Sequence, residues 1–193
     1  MTIKNVCVFA SSSQKLNPLY YNEAQQLGIL IGQNGMNIVY GGSRLGMMFA
    51  CAQAVKNNGG DIIGIMPQKL YDFGVGNPED CDEFYITSGM RERKAKMDEM
   101  SDAVIALAGG FGTLEELSEI IVQKQLGYSA KPIVILNTNG FYNELIKFFD
   151  SMISEDFANS NAKTLYYVAE TPQAAIDYLN SYQPVLNEVG AKF

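Results

Sequence analysis

At 193 residues, 47% of them hydrophobic, the chain is long enough to bury a sizeable core and suits one compact domain with at most a short tail. A net charge of −7 disfavours nucleic acid and anionic membrane as partners, and no apolar run approaches the roughly 20 residues that span a bilayer. Histidine is absent, which excludes Ser-His and Cys-His catalytic pairs and the common histidine zinc sites; acid–base chemistry falls to carboxylates, Lys, Tyr, Cys or bound water.

The start of the chain, Met1-Thr2-Ile3-Lys4-Asn5, runs straight into an apolar strand pattern with no cleavage-site signature, so a cytoplasmic protein is expected. Cys7, Cys51 and Cys81 are odd in number and far apart. Cys7 and Cys51 sit in apolar runs, where cysteine behaves as a small buried hydrophobe. No disulfide framework, metal site or cofactor is expected.

In chain order, residues 3–10 (IKNVCVFA) are β-branched and apolar and read as a strand ended by Ser11-Ser12-Ser13. Pro18 opens a helix to about residue 34. Residues 36–40 form a second strand, Gly41-Gly42-Ser43 turns it, and a helix follows over 46–58. Gly59-Gly60 precedes a strand at 61–66. Residues 68–82 are the one long irregular segment, and such loops are often functional. A short strand at 83–87 and a helix at 89–100 come next, then a buried strand at 104–107. A helix from Thr113 to about 126, a strand at 132–137, a helix at 141–155, a strand at 165–168 and a helix at 172–182 complete the pattern. Alternation at this spacing predicts an α/β fold, a parallel sheet with helices on both faces, in a single domain spanning residues 1–193. Ligands of such sheets bind beyond the carboxyl ends of the strands, where the chain order reverses.

Three strand ends there carry small-residue turns. The most informative is Ala108-Gly109-Gly110-Phe111-Gly112-Thr113-Leu114-Glu115-Glu116. Its glycines let backbone N–H groups approach a ligand, and the helix that follows offers unpaired donors and the positive end of its dipole, a site suited to phosphate. The spacing is neither G-x-G-x-x-G nor a Walker A. Thr113-x-x-Glu116 equally fits a capping box, in which the two side chains satisfy free helix donors. The turn at Gly41-Gly42-Ser43 repeats the strand–turn–helix logic more weakly, and Ser11–Ser13 is weaker still.

Four of the 14 basic residues fall in Arg91-Glu92-Arg93-Lys94-Ala95-Lys96. Met90, Arg93, Lys94, Met97 and Met100 share a helical stripe. A methionine stripe normally packs into a core, and a charge within it needs a partner. Arg93 is therefore expected to meet Glu115, Glu116 or a ligand phosphate.

The order of these motifs, a glycine turn over residues 40–48, then M-x-x-R-K at Met90–Lys94, then G-G-x-G-T-x-x-E at Gly109–Glu116, resembles the LOG (LONELY GUY) family of cytokinin riboside 5′-monophosphate phosphoribohydrolases. Many of its members carry an older "possible lysine decarboxylase" label. The resemblance implies a Rossmann-like, doubly wound fold and cleavage of the N-glycosidic bond of an adenine-type nucleoside 5′-monophosphate, AMP or an N6-substituted ribotide, by a homodimer, with residues 68–82 expected to help choose the base. Arg93 and Glu116 match the family's catalytic pair, and Gly109, Gly110, Gly112 and Thr113 its phosphate-binding turn. Met90, Lys94, Ser11, Gly42 and Glu115 are the further candidate contacts. Two positions depart from the pattern: Ala108 stands where proline is usual, and Arg91 where histidine is common. A non-catalytic nucleotide-binding or carrier module of the same fold is the alternative. Pyridoxal-dependent decarboxylation comes last, for want of a suitable lysine.

Overall fold

The computed structural model describes residues 2–184. Seven strands form one sheet: β1 (Asn5–Phe9), β2 (Asn37–Tyr40), β3 (Ile62–Pro67), β4 (Glu83–Thr87), β5 (Ala103–Ala106), β6 (Ile133–Leu136) and β7 (Tyr167–Ala169). All neighbouring pairs are parallel. β3, β5 and β6 are buried along their whole length, as a sheet covered on both faces requires. The helices are α1 (Pro18–Gln33), α2 (Gly46–Asn57), α3 (Gln68–Asp72), α4 (Met90–Glu99), α5 (Phe111–Gln125), α6 (Asn143–Ser154) and α7 (Pro172–Ser181).

Alternating side chains split the core in two. Val6 and Val8 of β1, Ile38 and Tyr40 of β2 and Ile105 of β5 pack with Leu27 and Ile31 of α1, Met47 and Cys51 of α2 and Ile176 of α7. Cys7 and Phe9 of β1, Val39 of β2 and Ile65 of β3 face the other way, onto Met97 of α4 and Leu117 and Ile120 of α5. α1 and α2 touch closely because Gly28 has no side chain: a Cβ there would collide with the Cys51 carbonyl.

Two expectations are corrected. Residues 68–82 are not irregular throughout. Gln68–Asp72 forms α3, Pro78–Asp80 a 3₁₀ turn, and Gly76 bridges antiparallel to Ser43. Pairing with a neighbouring turn, rather than local propensity, orders this stretch. Second, α5 begins at Phe111, not Thr113, because Gly110 takes the N-cap position in an extended conformation (φ −91°, ψ −158°).

Candidate active site

Strand order β4-β3-β2-β1-β5-β6-β7 makes the chain reverse direction between β1 and β5, and the turns leaving β1, β2 and β5 converge beyond that point. Backbone bonds tie them together. Ser11 N–H donates to Ala108 O at 3.3 Å, Met47 N–H to Ser11 O at 3.0 Å and Arg44 N–H to Val75 O at 2.9 Å. A cleft of about 450 Å³ opens here, within the size range of small-molecule sites. One part of its wall is polar, with Ser11–Ser13, Thr113, Arg93 and Glu116; another is apolar, with Leu45, Met48, Met66, Leu70, Val75 and Met90.

The floor beside β5 is the N-terminus of α5. Leu114 N–H is bonded to Gly110 O at 3.0 Å, and the helix geometry leaves the N–H groups of Phe111, Gly112 and Thr113 without intrahelical acceptors. Gly110 and Gly112 line the cleft and carry no side chain to screen these donors. Gly109 serves a different purpose, since a Cβ at that position would strike the Thr113 side chain. The capping-box reading does not hold: no side chain caps this helix, Thr113 lies inside its first turn, and Glu116 is engaged elsewhere.

That engagement is with α4. Arg93 Nη1 donates to Glu116 Oε1 at 2.8 Å, with each side chain only 9% exposed. Arg93 Nε donates to the Ile65 carbonyl of β3 at 3.2 Å. Among the described residues no donor is paired with Glu116 Oε2, and no acceptor with Arg93 Nη2. Burial pushes the Glu116 carboxyl above its ordinary value of 4.5, while the Arg93 charge and hydrogen bond pull it back. The pair can therefore hold a carboxylate ionised in a dry setting with one oxygen uncommitted and a guanidinium N–H to spare. This is equipment for a cationic transition state and a water proton.

The structure brings Ser11, Met90, Arg93, Gly110, Gly112, Thr113 and Glu116 to one cleft. Lys94, Glu115, Gly42 and Gly109 are not on its wall. Lys94 pairs with Glu115 and with Glu119, the latter at 2.6 Å, and borders a separate cavity of about 200 Å³. Gly42 turns the chain with φ 70°, and its missing side chain makes room for Phe84. Sequence reasoning did not single out Ser43, Met48, Met66 or the Ile65 carbonyl. Ser43 and Met48 lie inside the glycine turn of residues 40–48, whereas the places of Met66 and the Ile65 carbonyl depend on strand register and no local pattern marks them. Among the described residues, no group of three or more Cys, Asp or Glu is placed to hold a metal ion, and no helix is long and apolar enough to cross a membrane.

A family model described as "Possible lysine decarboxylase" matches residues 48–179. The chain is 39% identical over 189 residues to a probable cytokinin riboside 5′-monophosphate phosphoribohydrolase of Oryza sativa subsp. japonica, covering 98% of this chain and 77% of that one. It is 36% identical to a cytokinin riboside 5′-monophosphate phosphoribohydrolase of Arabidopsis thaliana, covering 98% and 87%. The chain belongs to the LOG family. The LOG fold has other uses: a molybdenum cofactor binding protein from Rippkaea orientalis superposes with a TM-score of 0.70 at 26% identity, over 94% of this chain and 98% of that one. Among the described residues no lysine lines the cleft, where Schiff-base chemistry would call for one.

Proposed function

We propose that this chain hydrolyses the N-glycosidic bond of adenine-type nucleoside 5′-monophosphates, AMP or N6-substituted cytokinin ribotides, to free base and ribose 5-phosphate. The observation that carries the reading is the buried Arg93–Glu116 pair (2.8 Å) sharing one cleft with the open N-terminus of α5. The 5′-phosphate accepts from the N–H groups of residues 111–113 and from the Thr113 hydroxyl, favoured by the helix dipole. Phosphate held there fixes the ribose and supplies binding energy remote from the bond that breaks. The base lies along Leu45, Met48, Met66, Leu70 and Val75, a wall whose methionines adapt to different substituents.

In the chemical step the C1′–N bond breaks with its electron pair going to the base, which takes up a proton. Positive charge grows on the ribose ring, and the Glu116 carboxylate stabilises it. Glu116 Oε2 accepts a proton from water as the water oxygen bonds to C1′. Arg93 keeps Glu116 ionised and in place, and its free Nη2 is available to a substrate oxygen. Incubation with AMP should release adenine and ribose 5-phosphate in equal amounts; production of neither from AMP or N6-prenylated AMP would overturn the reading.

The likeness to a molybdenum cofactor binding protein favours a second reading, a carrier of the same fold. It requires tight AMP binding with no release of base. The proposed enzyme works as a homodimer, for which the apolar groove between α5 and α6, with Val122 47% exposed beside it, offers a face. Sedimentation at twice the 21.2 kDa chain mass supports the dimer, and sedimentation at the chain mass contradicts it.

A further inference from the structure

Each nitrogen of the Arg93 guanidinium has a defined place. Nε is bonded to the Ile65 carbonyl and Nη1 to Glu116. Nη2 occupies the space above Gly41, the first residue after β2. A Cβ built on Gly41 would fall on Nη2 and lie 3.2 Å from Cζ. Gly41 is buried, and its φ is outside the left-handed region, unlike that of Gly42 beside it. Backbone conformation therefore does not call for glycine at this position; the guanidinium does. The Ile65 bond blocks one line of retreat, because moving Nη2 off Gly41 swings the rigid planar fork away from both acceptors at once.

We infer that Gly41 is a positioning residue for the reaction: its missing side chain is the slot that seats Arg93 against Glu116. This rests on the reading of Arg93 and Glu116 as the reacting pair. An alanine at position 41 withdraws Arg93, and Glu116 loses the charge and the hydrogen bond that oppose the effect of its burial. The other titratable groups facing Glu116 are Lys94 on α4, Glu115 on its own helix and Cys7 on β1. All three stay in place, so the change in Glu116 titration reports the movement of Arg93.

The test compares Gly41→Ala with Gly28→Ala, which fills a packing contact between α1 and α2 far from the cleft. With AMP as substrate, Gly41→Ala should lower kcat by roughly 100-fold, the loss expected when a reacting group is misplaced by about 1 Å. KM should change much less, and the acid limb of the pH profile should move to higher pH. The Glu116 carboxyl, followed by carbon-13 NMR in glutamate-labelled protein, should titrate higher in Gly41→Ala. Gly28→Ala should lower Tm and leave that titration as in the wild type. On an Arg93→Ala background, where nothing fills the slot, Gly41→Ala should change neither Tm nor the Glu116 titration further. A Gly41→Ala protein that keeps the wild-type kcat and Glu116 titration overturns the inference. So does a Gly41→Ala change that has its full effect without Arg93. Wild-type protein that releases no base from AMP overturns the functional reading alone, because the NMR titration still decides whether Gly41 seats Arg93.

Discussion

Helix α5 buries two ionisable side chains, Glu116 in its second turn and Lys124 in its last, and treats them oppositely. Glu116 is 8% exposed and Lys124 2%. Burial drives both toward neutrality, raising the Glu116 carboxyl and lowering the Lys124 ammonium to about 8. Glu116 has a counter-charge 2.8 Å away in Arg93. Lys124 Nζ has no hydrogen-bond partner among the described residues and lies 5.1 Å from the centre of the Tyr182 ring. The charge proposed to react is supplied with a partner; the charge that is only packed loses its proton more easily. Burial alone does not mark a functional site, whereas burial at a cleft wall with an opposite charge and an uncommitted oxygen makes a candidate for one.

Breaking the first half of that contrast should have the largest effect. Glu116→Gln removes the proposed proton acceptor and leaves the Arg93 charge without its counter-ion. A fall in kcat of about 10²–10⁴ is expected, the range for loss of a general acid–base group, measured as base released from AMP under saturation. Arg93→Ala should cost comparable activity and also destabilise the fold, because Glu116 is left buried and uncompensated at about 3–5 kcal/mol; urea unfolding checks it. Next comes the phosphate. In the proposed binding mode adenosine lacks the phosphate that the N–H groups at the start of α5 would hold, so its kcat/KM should be below that of AMP by at least about 100-fold. Comparable turnover of the two would remove the turn from the account.

The pH profile sharpens the same contrast. In the proposed reaction Glu116 acts as a carboxylate, so activity should be lost as pH falls through its raised pKa. The acid limb should therefore lie above 4.5, the ordinary carboxylate value. Lys124 bears on stability instead. Its folded pKa of about 8 lies below the ordinary 10.5, so the cost of burying its charge is fully present below about pH 8. That cost is relieved as pH rises from 8 toward 10.5. Lys124→Met should thus raise stability at pH 7 by about 1–3 kcal/mol, a gain that shrinks to nothing above pH 10.5; a gain independent of pH would contradict this. The smallest effect belongs to Glu115→Gln. Its pair with Lys94 is solvent-facing, with Glu115 57% exposed, and such pairs contribute about 0–1 kcal/mol. Melting temperature and kcat should both stay near wild type.

The parallel sheet and the need of Arg93 for an anionic partner were legible in the sequence for physical reasons; the choice of Glu116 came from the family resemblance alone. Strands such as residues 103–106 are apolar throughout, and a basic residue in a methionine stripe demands an anion. Reading between Glu115 and Glu116 was harder, because adjacent helical residues differ by about 100° in direction and only the placement of α4 against α5 selects one. The same placement takes Lys94 away from the cleft to Glu115 and Glu119. The start of α5 was misplaced by two residues because Gly110 and Gly112 are poor helix formers, and Thr113 resembles an N-cap by composition. The ordering of residues 70–76 against the Gly41–Ser43 turn arises from pairing between distant segments. The slot at Gly41 was invisible for the same reason: its value depends on an arginine 52 positions later that reaches the end of β2 only in the folded sheet.

The central claim is that Glu116 converts a bound nucleotide rather than merely holding it. The direct measurement is AMP binding by calorimetry, beside base release, in wild-type protein and Glu116→Gln. Binding within a few-fold of wild type, with base release lost by about 10²–10⁴, is the expected result. Wild-type protein that binds AMP and releases no base, with Glu116→Gln indistinguishable from it, would contradict the claim and leave the carrier reading in its place.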